Sequence, residues 1–202
     1  PLDSWVAPGE GLPAILGAAM MVGERFARIY SNSTREARVR GVTLDVEAVP
    51  ERRTLQLEGA HTSTQEVHAG ETITVEATVR PYQGPARNIR IPVAIPVSLQ
   101  NGPMRLLVSD GAALDRITQQ TRMSGRPLDM NGTIAQIKGI RANDRLYVTL
   151  LAPGAQALLE GRTLPELPIS MANVLEPLRN SQEMALNGES AIPVTSIAVD
   201  AV

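Results

Sequence analysis

Cysteine is absent from the 202 residues, which excludes disulfides, thiolate metal sites and a cysteine nucleophile while leaving the redox compartment open. Aromatic side chains are almost absent: Trp5, Phe26, Tyr30, Tyr82 and Tyr147 are too few to build a base-stacking or sugar-stacking platform. There is no surplus of positive charge. A formal charge of −2 gives no basic footprint, so neither nucleic acid nor an anionic membrane surface is expected as the main partner. Among 19 basic residues only Lys138 is a lysine, a compositional bias to which no role attaches. The longest apolar stretch, Leu12 to Val22, is too short to span a bilayer and runs into Glu24 and Arg25, so no transmembrane segment is expected. No internal repeat or low-complexity tract occurs. What is present is ordinary globular material, 43% hydrophobic and 20% charged, in a length that suits one large domain or two small ones. The start at Pro1, with no basic leader or cleavage pattern, suggests a processed chain or a piece of a longer protein, any export signal lying upstream.

Periodicity divides the chain into a helical lead, a β-rich body and a helical interruption. Leu12, Ile15, Leu16, Ala19, Val22, Phe26 and Ile29 fall at helical spacing, with Pro13 in the first turn and Ser31-Asn32-Ser33 as a polar stop. Val39, Val42, Leu44 and Val46, set among Arg40, Thr43, Asp45 and Glu47, read as a strand with Gly41 at a bulge. Beyond Arg53 the spacing of turns predicts an antiparallel sandwich, with strands over Thr54 to His61, Thr72 to Arg80, Ala86 to Val97 and Met104 to Ser109. In the second of these, Ile73, Val75, Ala77 and Val79 should face the core and Thr74, Glu76 and Thr78 the solvent. Pro92 and Pro96 lack donors and place the third at an edge or interrupt it. Helices are expected over Ala112 to Gln120 and Thr133 to Ile140, joined by a loop from Thr121 to Asn131. Arg145 to Leu151 reads as a strand, Pro153 to Pro168 as mostly loop, Ser170 to Leu178 as a short helix and Ile192 to Val202 as the last strand. The buried set should include Ile73, Val75, Val79, Leu106, Val108 and Val148.

Few residues offer chemistry. Ser124, in Met123-Ser124-Gly125-Arg126-Pro127, could present a hydroxyl, but a nucleophile needs a base, and no pattern links it to His61 or His68. Those histidines with Glu66 or Glu71 do not have the spacing of a compact metal motif. Asp110, Asp115 and Asp129 lack the spacing of a calcium loop, and Asp110 suits the N-cap of the helix that begins near Ala112. Gly9 and Gly11 lack the full phosphate-binding fingerprint and read as a flexible lead-in.

The ordered run Val39-Arg-Gly-Val-Thr-Leu-Asp-Val-Glu, Pro50-Glu-Arg-Arg-Thr-Leu, Val67-His-Ala-Gly-Glu-Thr-Ile-Thr-Val, Val79-Arg-Pro-Tyr-Gln-Gly, Val108-Ser-Asp-Gly and Asn143-Asp-Arg-Leu-Tyr-Val resembles the region downstream of the protease core in bacterial SpoIVB-type serine peptidase-like proteins. The resemblance runs from the first helix to about Pro168. That family's peptidase carries a Gly-His segment and a Gly-Met-Ser-Gly-Ser-Pro segment, neither of which is intact here. Arg122 stands where the second motif has its leading Gly, and Arg126 where it has its second Ser, so no nucleophile is carried onto Ser124.

The resemblance implies a non-catalytic interaction or scaffolding module of a larger exported protein, periplasmic, cell-surface or secreted, with no cofactor, no metal and no catalytic residue of its own. Its expected partners are the upstream domain of the same polypeptide and other proteins. The expected fold is α+β, an immunoglobulin-like antiparallel β-sandwich over residues 53–202 with a helical insertion around 112–140. Residues 1–52, a helix plus a strand, would finish the preceding domain. Two other readings remain at this point: a serine hydrolase using Ser124, and an adhesion or carbohydrate-binding module, which the scarcity of aromatics weakens.

Overall fold

A computed structural model describes residues 2–8, 12–99, 101–122, 129–159, 162–167, 171 and 184–200. Over these residues the fold is mixed α+β, with helices α1 (Ala14–Tyr30), α2 (Gly111–Arg122) and α3 (Met130–Lys138) and strands β1 (Leu55–Thr62), β2 (Thr72–Pro81), β3 (Arg87–Ala94), β4 (Arg105–Ser109), β5 (Arg145–Leu159), β6 (Arg162–Leu167) and β7 (Met184–Ala198). They form two antiparallel sheets. The first has the order β1-β2-β3. In the second, the long β5 pairs with β7 along one edge, while β4 and then β6 share the other.

Alternation decides which faces meet. In β2, Ile73, Val75, Ala77 and Val79 are buried, and their partners in register, Leu57 and Ala60 on β1 and Ile89, Ile91 and Val93 on β3, lie on the same face. From the second sheet Leu146, Val148, Leu150 and Ala152 join them in one core. Each fully buried Val or Ile there contributes roughly 1.5–3 kcal/mol relative to exposure. The far face of β5 is covered as well: α2 packs against it, Leu114 is buried, and Thr149 is only 1% exposed.

The helices start on aspartates. Asp110 Oδ1 accepts the Ala113 amide at 2.6 Å, and Asp129 Oδ1 accepts the Gly132 amide at 2.6 Å, each satisfying an orphan donor of a first turn. Gly111 sits so close to the chain after α3 that a Cβ there would lie 2.7 Å from the Ala142 carbonyl oxygen, so only glycine fits the approach. Between β1 and β2, Gly70 adopts φ +88°, the left-handed conformation that closes this turn.

Several sequence expectations are overturned. The stretch from Val39 to Glu47 is not a strand: residues 36–49 form neither helix nor strand, and Val39, Val42, Leu44 and Val46 are exposed. Alternation alone does not make a strand where no partner supplies hydrogen bonds. Pro153 to Pro168 is not mostly loop, because β5 continues to Leu159 and β6 covers Arg162–Leu167. The prolines are accommodated by irregular pairing: β5 and β7 shift register between Pro153 and Gln156, and β5 and β6 between Ala155 and Ala157, opposite the stretch of β6 that holds Pro165. β7 starts at Met184, eight residues before Ile192. Val97 is 81% exposed, since β3 ends at Ala94. Along α1 only Val22, Phe26 and Ile29 of the apolar stripe are half-buried, whereas Ile15, Leu16 and Ala19, and Leu12 just before the helix, are exposed. Leu106 and Val108, expected in the core, are half-buried. The helix expected over Ser170 to Leu178 lies outside the described residues apart from Met171.

Candidate functional site

Leu106 and Val108 mark the place where the core is open. Both face the same way as their β5 partners Leu150 and Val148, so they should be covered by the first sheet. On the opposite side of the molecule the two sheets come into contact: β3 meets β7, and Arg87 pairs with Asp200 at 3.6 Å. On this side β1 and β4 stand apart and enclose a groove of about 650 Å³, with Leu57, Ala60, Thr62, Leu106 and Val108 on its inner surface. The cause is local sequence. A register shift between Leu57 and Gly59, followed by small Gly59 and Ala60, leaves β1 without bulk just where the core needs filling. Both bounding strands are edge strands, β1 pairing only with β2 and β4 only with β5 among the described residues. The groove is therefore apolar at its floor, with two strand edges as its walls.

Its rim is electrostatically satisfied. His61, Glu76 and Arg90 are neighbours in register across β1, β2 and β3. His61 Nε2 lies 3.3 Å from Glu76 Oε2, and Arg90 Nε donates to Glu76 Oε1 at 2.9 Å. Arg80 Nε donates to Glu58 Oε1 at 2.5 Å, and that hydrogen bond, then the attraction of the carboxylate, raises the Arg80 pKa above its ordinary value. His68 lies in the turn before β2, mostly exposed, with Nδ1 3.3 Å from Glu71 Oε1. The His68 amide donates to Glu71 Oε2 at 3.0 Å, the main reason the Glu71 carboxyl is held below its usual pKa. Each histidine is thus committed to its own glutamate on an exposed surface, and the two belong to separate constellations.

The three aspartates are also occupied separately. Asp110 and Asp129 cap α2 and α3. Asp115 accepts from both the backbone amide and the guanidinium of Arg141. Glu66 is exposed in the turn before β2, and Ser124, Gly9 and Gly11 lie outside the described residues. Among the described residues no three His, Asp or Glu side chains are gathered closely enough to hold a metal ion.

A smaller cleft of about 200 Å³ separates α1 from α2 and the segment 140–143. Its charges are mixed and paired: Arg28 with Glu24 at 2.6 Å, Arg141 with Asp115, and Arg25 Nη2 donating to Ser4 Oγ at 3.0 Å. It works as an electrostatic seam. Asn143 reinforces it by gripping Trp5, accepting the Trp5 amide at 3.0 Å and donating to its carbonyl at 2.6 Å. Asn32 reaches from the end of α1 to Thr133 of α3 at 2.9 Å.

The groove is the feature that sequence reading missed. Its signal was the pair Gly59-Ala60 following the inward-facing Leu55 and Leu57 of the same strand. Among the described residues no helix is long and apolar enough to cross a membrane. No protein-family model, curated protein or solved structure matches the chain.

Proposed function

We propose that this chain is a non-catalytic interaction or scaffolding module of a larger, exported SpoIVB peptidase-like protein, with an immunoglobulin-like β-sandwich as its body. Two antiparallel sheets around one core, interrupted by α2 and α3, support the sandwich reading. The resemblance quoted above supplies the parent protein and the exported location.

The observation that carries the interaction role is the outer face of α1. Ile15, Leu16 and Met20 share one side of the helix and are 67%, 48% and 62% exposed, with Leu12 just before the helix 37% exposed, while the opposite face of the same helix is held by the seam against α3 and segment 140–143. Large apolar side chains gathered on one exposed stripe mark a contact surface. The region that precedes this chain in the parent polypeptide is the partner proposed for it, with residues 1–52 completing that domain.

The test is a calorimetric titration of the chain with the separately expressed preceding region at several temperatures. Saturable binding with a negative heat-capacity change is expected. Combined Ile15→Asp and Met20→Asp should weaken it at least tenfold without altering the melting temperature of the chain, because both positions are exposed. Absence of binding, or binding indifferent to these substitutions, would contradict the proposal.

A further inference from the structure

The groove between β1 and β4 and the unpaired segment from Val39 to Glu47 are complementary halves of one strand addition, and we propose that each is filled by the other across two copies of this chain. The inference rests on the interaction-module reading and assigns one of the module's surfaces to a second copy.

The groove lacks a strand in the literal sense. Two sheet edges bound it, and Leu57, Ala60, Leu106 and Val108 form a floor that the core side of the molecule leaves uncovered. Edge strands of this kind accept an added strand: main-chain hydrogen bonds hold it, and alternate side chains enter the gap. The occupant must be about as long as β1, apolar at alternate positions and polar between them.

Such a segment is present in the same chain and pairs with no strand among the described residues. Val42, Leu44 and Val46 alternate with Thr43, Asp45 and Glu47, and all three apolar side chains are more than half exposed. Residues 39–47 would span roughly 30 Å as a strand, enough to run the length of β1. Burying them over Ala60, Leu106 and Val108 would cover both exposed apolar surfaces in one contact.

The geometry points to a second copy rather than to the molecule's own groove. The tether that leads into β1 is clamped toward β2: the Arg52 guanidinium sits 4.1 Å above the ring of Tyr82, and the Tyr82 amide donates to the Thr54 carbonyl at 3.0 Å. Tyr82 follows β2, so Arg52 and Thr54 are held on the side of β1 that faces β2, whereas the groove opens on the free edge of β1. Exchange between two chains gives a closed, two-fold arrangement in which both grooves are filled.

The absence of native cysteine makes the test direct. Chains carrying only Leu44→Cys are mixed with chains carrying only Ala60→Cys under oxidising conditions, with Val42→Cys and Val46→Cys run alongside to sample the register. A disulfide-linked heterodimer is expected to exceed either homodimer several-fold, and to be lost when Val42→Asp is added to the Leu44→Cys chain. Sedimentation should show a concentration-dependent dimer that becomes monomeric in Val42→Asp/Leu44→Asp, with melting of the monomer unchanged because both positions are exposed. A monomer at every concentration overturns the inference. So does an intramolecular disulfide in the Leu44→Cys/Ala60→Cys double variant, which would place the segment in its own groove. Docking of the preceding region through α1 is read separately, so loss of strand exchange with retained docking refutes this inference alone.

Discussion

Arg141 binds Asp115 twice, its backbone amide donating to Oδ2 at 2.9 Å and its guanidinium to Oδ1. One carboxylate on α2 thereby fixes the chain between α3 and β5, at the point where Gly111 also touches Ala142. Both side chains are largely withdrawn from solvent, at 25% and 14% exposure, so the pair is poorly screened. Asp115→Ala should destabilise the fold by about 2–3 kcal/mol, the cost of stranding a charged donor. Urea denaturation measures it, and a loss below about 0.5 kcal/mol would show that the pair is no better than a surface ion pair.

Thr149 carries an opposite expectation. Its Oγ1 is buried without a hydrogen-bond partner, as is Ser109 Oγ on the same face of the sheet. Thr149→Val keeps the shape and removes the unsatisfied hydroxyl, so it should raise stability by about 1 kcal/mol. A lower melting temperature would mean that the hydroxyl is satisfied in solution.

Val75 and Val97 separate the alternation that folds from the alternation that does not. Val75 is 0% exposed and Val97 81% exposed, although each belongs to an alternating apolar run. Val75→Asp should unfold the domain by placing an unpaired carboxylate in the core, while Val97→Asp should leave its circular-dichroism melt unchanged. Equal tolerance of both would refute the assigned core face.

That contrast shows what was legible in the sequence. β2 and β3 could be read because each has a partner on hand, so their period-two pattern is also a burial pattern, and Pro92 correctly pointed to an edge. Asp110 could be read as a cap because capping is local. Val39 to Glu47 carries the same pattern as β2 but finds no partner within the described chain, and pattern alone does not report pairing. β6 and the far half of β5 were hidden by prolines and glycines that ordinarily end strands and here sit at register shifts. The groove was illegible because it depends on how far apart β1 and β4 lie, a distance set by two sheets whose strands are remote in sequence.

Tyr147 predicts an alkaline limit to stability. Burial pushes its phenol above the ordinary value of about 10, while its hydroxyl donates to the Ala142 carbonyl at 3.1 Å. Between the ordinary and the raised value the unfolded chain has released this proton and the folded chain retains it, so unfolding is favoured and stability falls as pH rises through that window. Tyr147→Phe should flatten that part of the profile at a cost of about 1 kcal/mol near neutrality. An unchanged alkaline slope in the variant would contradict the assignment.

We propose that this chain acts by contact and not by chemistry, a reading that active-site labelling can decide. The purified chain is incubated with a fluorophosphonate probe and an activated acyl ester, beside Ser124→Ala, His61→Ala and His68→Ala. With His61 held against Glu76 and His68 against Glu71, no labelling and no turnover above the variants' shared background are predicted. Stoichiometric labelling of Ser124, with turnover abolished by Ser124→Ala and by either histidine substitution, would contradict the account.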